Sequence, residues 1–257
     1  MTTTEQKPTV ATFETPAAFR RFAAATSTDE TRDVIRTPCA YHGVFFATDG
    51  RRLHALDFGN APPDSDVKGA FTVPKKLKGN CALTIQDGAP ASFFDGERLP
   101  ARETGTVPNV RAVIPDPDRS AGTITADLST WLEALKSFRD SPLLSMRAIL
   151  SSEGLALRAT WDREQTLWSV PAAPSLPPAS TAPGALDFPE TFLAFAFLKD
   201  ALAFLADHCS QVTIRAHSNT ATEYSKESPG PVVIEPARAG NYDPTPAPLA
   251  VIMPASG

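Results

Sequence analysis

The hydrophobic pattern of the first half of the chain predicts one short helix followed by short strands. Thr15 and Pro16 provide a helix cap and a proline at the first helical position. Apolar and small residues then recur at helical spacing, at Phe19, Phe22, Ala23 and Thr26. Apolar residues at 43–46, a Thr-Asp-Gly turn and the alternating segment 52–58 predict a β-hairpin. Segment 73–78 predicts a strand end that leads into one helical turn, and 82–86 is again typical of a strand.

The second half repeats this order from about Thr123. Asp127 can cap a helix whose apolar face is formed by Leu128, Trp131, Leu132, Leu135 and Phe138. A further helix is predicted over 197–207. Alternation predicts strands at 145–150, 155–160, 166–170, 186–195, 212–216, 232–235 and 249–253. Residues 171–184, dominated by Pro, Ala and Ser, predict a loop.

This internal duplication predicts an α+β protein made of two domains of one type, each with two helices packed on antiparallel sheet. We place a disordered N-terminus at 1–8, a first domain at 9–120 and a second at 121–257. A length of 257 residues suits two such domains, and 25 prolines favour short strands and frequent turns over long helices.

Composition narrows the classes of function. A formal charge of -5 excludes a uniformly basic nucleic-acid binder but leaves room for a local basic surface. Cys39, Cys81 and Cys209 are isolated, so we expect buried core thiols, no disulfide framework, no metal site and no cofactor. The longest apolar stretch, 192–198, falls far short of the roughly 20 residues that span a bilayer. We therefore expect a soluble, cytoplasmic protein without a membrane partner.

An enzyme is one alternative. The histidines lie outside any HExxH, GxSxG or glycine-rich phosphate motif. Asp49, His54 and Asp57 would be the candidate base and orienting carboxylates of a hydrolase. Strand alternation, however, places His54 and Asp57 on opposite faces, so we expect no catalytic activity.

Three segments stand out in order along the chain. They are ATDGRRL at 47–53, VPNVRAVIP at 107–115 and VIMP at 251–254. They resemble signatures of the bacterial DNA polymerase III beta sliding clamp family, whose usual forms are close to ATDGHRL, FPDYRRVIP and a terminal YVIMPMRL. Segments 197–205 and 211–214 are similar to the last helix and following strand of that family. The resemblance runs from about Phe13 to Met253 and corresponds to the second and third of three family domains.

The resemblance implies a DNA polymerase processivity factor. In the family, six domains close a ring that encircles duplex DNA and slides without reading bases, so sequence-independent attraction to phosphates at the inner helices suffices. The candidate DNA-binding residues are Arg20, Arg21, Lys75, Lys76, Lys78, Lys136 and Lys199. Ordinary solvated helix charges are the alternative explanation, and Asp200 and Asp207 lie close to Lys199.

The resemblance also implies a groove between the domains, into which the DNA polymerase and the clamp loader insert short linear peptides. The matching positions are Phe22, Thr48, Gly50, Arg51, Arg52, Leu53, Pro108, Ala112, Val113, Val251, Met253 and Pro254. For the Thr-Asp-Gly turn alone, a plain hairpin is the alternative. Ala112 stands where the family often has Arg, Arg51 where it often has His, and residues 255–257 replace Met-Arg-Leu. We expect a shallower groove with a different peptide preference.

Assembly follows from the number of domains. A chain with two domains needs three copies to supply six, so the resemblance implies a homotrimeric ring. The sheet edges expected to join the copies are 67–73 or 92–99 in the first domain and 155–170 in the second. The alternative is a decoy or adaptor that keeps the peptide groove without encircling DNA.

Overall fold

The computed structural model describes residues 9–59, 67–102, 105–136, 145–151, 154–161, 164–171, 191–219, 228–237 and 246–254. These residues form antiparallel sheets and three α-helices, which confirms the predicted α+β class. The chain divides into two compact units, Met1–Val113 with Asp243–Leu249 and Ile114–Tyr242 with Ala250–Gly257. The predictions for 1–8, for Phe138, for 186–190 and for the loop after Pro171 lie outside the described residues.

The first unit contains two four-stranded arrays and one α-helix, α1 (Pro16–Ala23). Its strands are β1 (Val10–Phe13), β2 (Cys39–Tyr41), β3 (Val44–Thr48), β4 (Arg52–Asp57), β5 (Lys68–Ala70), β6 (Cys81–Gln86), β7 (Ala89–Phe94) and β8 (Glu97–Leu99). One array has the order β1-β6-β7-β8 and the other has the order β5-β2-β3-β4. Short 3₁₀ helices lie at Asp33–Arg36 and Val110–Ala112.

Helix α1 forms as the sequence predicts. Thr15 is extended and its Oγ1 accepts a hydrogen bond from the backbone N of Ala18 at 3.1 Å, while Pro16 begins the helix. The helix buries Phe19, whose ring centroid lies 5.3 Å from those of both Phe13 and Phe94 in edge-on contacts. These contacts fix α1 against β1 and β7 and build the core of the first unit.

The helical turn predicted within segment 73–78 is wrong, since residues 71–80 form no helix. Few residues separate Pro74 from Gly79, which has a φ of +58°. A single turn pays the cost of helix nucleation without gaining from propagation. The chain must also enter β6 at Cys81, which pairs with Phe13 of β1. The three lysines of this segment therefore lie on a loop.

The second unit contains two α-helices, α2 (Leu128–Lys136) and α3 (Phe195–Leu205). Its strands are β9 (Ser120–Asp127), β10 (Ser145–Ser151), β11 (Gly154–Trp161), β12 (Glu164–Pro171), β13 (Thr191–Ala194), β14 (Gln211–Asn219) and β15 (Ser228–Pro236). The last strand, β16 (Ala247–Ile252), belongs to this unit from Ala250 onward. One array has the order β12-β11-β10-β13, and in the other β14 pairs with both β9 and β15.

The two helices of this unit pack on each other. Asp127 caps α2 as predicted, because its Oδ1 accepts a hydrogen bond from the backbone N of Thr130 at 2.9 Å. Helix α3 begins at Phe195, directly after β13 and without a side-chain cap, two residues before the predicted start. The core of this unit is apolar and includes Leu128, Trp131, Leu135, Leu198, Leu202 and Phe204.

Candidate functional site

The first signature forms the tight turn between β3 and β4. Gly50 has a φ of +87°, which favours glycine. The hydroxyl of Thr48 donates to the carbonyl of Arg52 at 2.6 Å and accepts from the backbone N of Gly50 at 3.1 Å. One carboxylate oxygen of Asp49 accepts from the backbone N of Arg51 at 2.8 Å. The turn is therefore closed by its own side chains, and Arg51 remains exposed beside it.

Two arginines connect this turn to neighbouring segments of the first unit. Arg52 donates through Nε to Asp49 at 3.1 Å and through Nη2 to the carbonyl of Ala24, which caps α1, at 2.8 Å. Arg32 donates through Nη1 to the carbonyl of Asp49 at 2.9 Å. Because the side chain of Arg52 is only 13% exposed, its main role in the structure is to hold the turn against α1.

The second signature forms the 3₁₀ helix Val110–Ala112 and the residues beside it. Asn109 caps it, since its Oδ1 accepts from the backbone N of Ala112 at 3.3 Å. Val110 is buried, whereas Pro108, Ala112 and Val113 are exposed. The buried valine anchors the turn, and the residues around it are available at the surface of the first unit.

The third signature ends the described part of the second unit. Val251 lies within β16 and is buried, Met253 follows the strand and is exposed, and Pro254 is half-buried. Three large apolar side chains are exposed among the described residues, namely Val10, Val113 and Met253. Two of the three therefore belong to the second and third signatures.

Three of the predicted peptide-contact residues are core residues. Phe22 is 0% exposed, Leu53 is 3% exposed and Val251 is 3% exposed. Because their side chains are buried, these three residues cannot contact a peptide directly in this structure. The exposed or half-exposed members of the set are Thr48, Gly50, Arg51, Arg52, Pro108, Ala112, Val113, Met253 and Pro254.

The predicted DNA-binding residues of the first unit lie on α1 and on one loop. Helix α1 carries Arg20, which is exposed, and Arg21, which is half-buried, and it contains no acidic residue. Lys75, Lys76 and Lys78 are exposed on the loop that precedes β6. Burial raises the pKa of the Cys81 thiol, and the positive charge of Arg20 opposes that shift. The loop with the three lysines leads directly into Cys81, the first residue of β6.

The second unit offers less positive charge on its helices. Lys136 of α2 follows Glu133 by one helical turn, and Lys199 of α3 stands next to Asp200. The ammonium of Lys199 lies 5.9 Å from the ring centroid of Phe195. Each of these two helices carries one cation and one anion and is therefore neutral. Among the segments that carry candidate DNA-binding residues, α1 and the lysine loop of the first unit are the ones with a net positive charge.

His54 and its two neighbouring carboxylates have separate partners. The Nδ1 atom of His54 lies 3.0 Å from the carbonyl of Arg21 and 3.1 Å from that of Phe22, so it carries a proton and donates. Burial lowers the pKa of His54 to about 4, and its side chain is 0% exposed. Asp49 holds its own turn, and Asp57 binds Arg111 at 3.1 Å. A buried imidazole cannot meet a substrate.

The described residues contain no group of three His, Cys, Asp or Glu side chains placed to hold a metal ion. In the same part of the chain, no helix has the length and apolar character needed to cross a membrane. All three cysteines are free thiols. Burial raises the pKa of Cys39 to about 12 and that of Cys209 to about 11.

Sequence reasoning missed Arg32 and Arg111, which hold the turns of the first and second signatures. Their partners lie far away along the chain: 17 residues separate Arg32 from Asp49, and 54 separate Arg111 from Asp57. The position of Arg111 inside the second signature indicated that this residue could matter, but the sequence pattern could not predict that it binds His42 and Asp57.

No family model matches the chain, and no curated protein matches it. Solved structures of bacterial clamps match its whole length. The H. pylori beta clamp aligns with 100% of this chain and 69% of its own, with a TM-score of 0.60 at 15% identity. The Pseudomonas aeruginosa DNA polymerase III subunit beta gives 0.59 at 15% identity over 100% and 69%. The Caulobacter crescentus sliding clamp gives 0.60 at 17% identity over 100% and 68%. The resemblance is confirmed at the level of the fold.

Proposed function

We propose that this protein is a sliding-clamp-like processivity factor that encircles duplex DNA and binds short peptides of its partners. The observation that carries the proposal is the fold, which this chain shares over its whole length with bacterial beta clamps. The three signatures add support, because their surface residues are suited to contact rather than to chemistry. In this proposal the protein tethers a polymerase to DNA and catalyses no reaction.

Peptide binding is supported by Val113 and Met253. Most large apolar side chains of the described residues are buried, yet these two are 54% and 43% exposed. An apolar side chain that stays in water gains free energy when a partner covers it. Methionine adapts to different partners, and rigid Pro254 beside Met253 and rigid Pro108 in the same signature as Val113 suit a small peptide-contact surface on the unit to which each belongs. A DNA polymerase and a clamp loader are the proposed peptide donors.

Peptide binding is tested with a labelled peptide that carries a short polar-then-apolar clamp-binding motif. Fluorescence anisotropy should give a dissociation constant on the order of micromolar, because few anchors carry such contacts. Val113→Ser and Met253→Ser should each weaken binding by roughly tenfold, which corresponds to about 1.4 kcal/mol. Val10→Ser is the matched control, since Val10 is the third exposed large apolar residue and lies outside the signatures. Equal affinity in all three variants would contradict the assignment.

DNA binding is supported by the basic residues of the first unit. Five candidate cations, Arg20, Arg21, Lys75, Lys76 and Lys78, lie on α1 and on the loop before β6. A chain with a formal charge of -5 can bind phosphates through such a local surface while the rest of it repels them. Attraction of this kind depends on charge and not on base sequence.

The salt dependence of binding to a linear duplex tests this role. Five phosphate contacts per chain predict a slope of about -4.5 and a roughly 500-fold loss of affinity between 50 and 200 mM salt. The double variant Lys75→Gln with Lys76→Gln should reduce the slope to about -2.7 and the loss to roughly 40-fold. Lys68→Gln with Arg98→Gln is the matched control, because it removes two exposed cations outside the candidate set, and it should leave the slope unchanged. Binding that prefers one sequence, or that persists at high salt, would refute the mechanism.

A ring of three copies is the proposed assembly. Strand β8 ends one array of the first unit, β5 ends the other, and β12 ends an array of the second unit. Unpaired edges of this kind can join copies head to tail, and closure of a ring pairs the edges that an open row of copies would leave free at its two ends. Light scattering should give roughly three chains per particle. The neutrality of α2 and α3 favours one alternative, a non-encircling adaptor, and a strict monomer that still binds the peptide would establish it.

A further inference from the structure

The guanidinium of Arg111, within the second signature, forms five hydrogen bonds with three other residues. Its Nη2 donates to the carbonyl of His42 at 2.9 Å, and its Nε donates to the same oxygen at 3.2 Å. The guanidinium also pairs with both carboxylate oxygens of Asp57, at 3.1 Å from Nη2 and 3.3 Å from Nη1. A fifth contact joins Nη2 to the carbonyl of Gly59 at 3.4 Å. All these residues belong to the first unit.

These contacts join segments that are distant along the chain. His42 lies in the turn between β2 and β3 and has a φ of +46°, which fixes an unusual direction for its carbonyl. Asp57 ends β4. Arg111 lies in the 3₁₀ helix just before the exposed residues Ala112 and Val113. A short 3₁₀ turn has few hydrogen bonds of its own, so these long-range contacts add to what its cap and buried valine provide.

We infer that Arg111 is a positioning residue of the peptide-contact surface: by binding His42 and Asp57 it holds the turn that presents Val113. This inference rests on the proposed peptide binding. The side chain of Arg111 need not touch the peptide, because its bonds are directed into its own unit. Its effect acts through Val113, whose backbone N donates to the carbonyl of Val110 within the turn that Arg111 holds.

Lysine cannot replace this arginine. The planar guanidinium pairs with two carboxylate oxygens and a carbonyl at the same time, whereas an ammonium is a compact point charge with no such fork. A turn that is already ordered before the peptide binds lowers the entropic cost of binding. Loss of the forked hydrogen bonds of Arg111 should therefore weaken peptide binding without removing any contact to the peptide. We expect Arg111→Lys and Arg111→Gln to lower peptide affinity to a similar extent, because the effect depends on the hydrogen-bond geometry of the guanidinium and not on its charge.

The experiment measures peptide affinity by anisotropy on the full chain, with amide hydrogen exchange at residues 110–113 as a second readout. Arg111→Gln and Arg111→Lys should each weaken binding by about five- to tenfold and speed exchange at these amides. Arg98→Gln is the matched control, because Arg98 forms a 3.5 Å ion pair with Asp87 in the same unit, outside the signatures. A urea unfolding midpoint close to that of the wild type shows that the variants fold.

A double-mutant cycle separates positioning from general damage. If Arg111 acts through Val113, then Arg111→Gln should cost little further affinity in a Val113→Ser background. Additive losses, or unchanged affinity in both Arg111 variants, would overturn this inference while the proposed peptide binding stands. A wild-type protein that binds no peptide would instead overturn the proposed function, and the inference with it.

Discussion

Acid should destabilise the first unit through His54. The folded protein keeps this imidazole neutral, because burial lowers its pKa from 6.5 to about 4. Between these two values the unfolded chain binds the proton and the folded chain does not. The free energy of unfolding therefore falls as the pH drops from about 6.5 to 4. Since one pKa unit corresponds to about 1.36 kcal/mol, the full loss is about 3 kcal/mol, and about 2 kcal/mol is already lost at pH 5.

The substitution His54→Asn isolates this contribution. Asparagine places its Nδ2 donor as many bonds from the backbone as the Nδ1 of histidine, so it can still reach the carbonyls of Arg21 and Phe22. It cannot take up a proton in this range. Carboxylates titrate in both proteins and cancel in the comparison. Between pH 7 and pH 5 the wild type should lose about 2 kcal/mol more than the variant.

Urea unfolding followed by two signals provides the assay. The three tryptophans are Trp131, Trp161 and Trp168, all in the second unit, so their fluorescence reports that unit. Far-ultraviolet circular dichroism reports both units. The extra acid sensitivity of the wild type should appear in the circular dichroism and not in the fluorescence transition. Parallel pH profiles for the two proteins would refute the reasoning.

Two further substitutions test the core of the second unit and the loop that precedes β6 in the first unit. Trp131→Ala should destabilise the second unit by about 3–5 kcal/mol, measured by urea unfolding, because it removes a fully buried side chain. Gly79→Ala should lower the unfolding midpoint of the first unit, since its Cβ would lie 2.5 Å from Oδ1 of Asp95 at a φ of +58°. Gly96→Ala, where φ is +81° and nothing lies within 4 Å of the Cβ, is the control and should cost less.

Local signals in the sequence identified the caps and the hairpin. The hydroxyl of Thr15 and the carboxylate of Asp127 reach backbone N–H groups three residues ahead, so neighbours in sequence suffice to predict them. The turn around Gly50 depends on an equally local pattern. The loop with Lys75 could not be predicted in this way, because the pairing of β6 with β1 decides where that segment must end.

The sequence identified which positions belong to the candidate site, but it did not show which of their side chains are exposed. Alternation cannot show which residues of β4 are exposed, because four consecutive residues, including Leu53, are buried on both faces of the strand. Burial on both faces needs partners from distant segments, such as the carbonyls of α1 that meet His54. The contacts of Arg32 and Arg111 have the same origin, since they join residues that only the folded chain brings together.

The raised pKa values of the native thiols have a practical consequence for measuring peptide binding with a fluorescent label. Maleimides react with the thiolate, and a pKa of about 11 leaves Cys209 only about one part in 10,000 ionised at pH 7. Cys39, with a pKa of about 12, is still less ionised. An ordinary exposed cysteine is roughly 3% ionised at that pH. A cysteine introduced at Val113 would thus accept a fluorophore selectively while the three native cysteines stay in place.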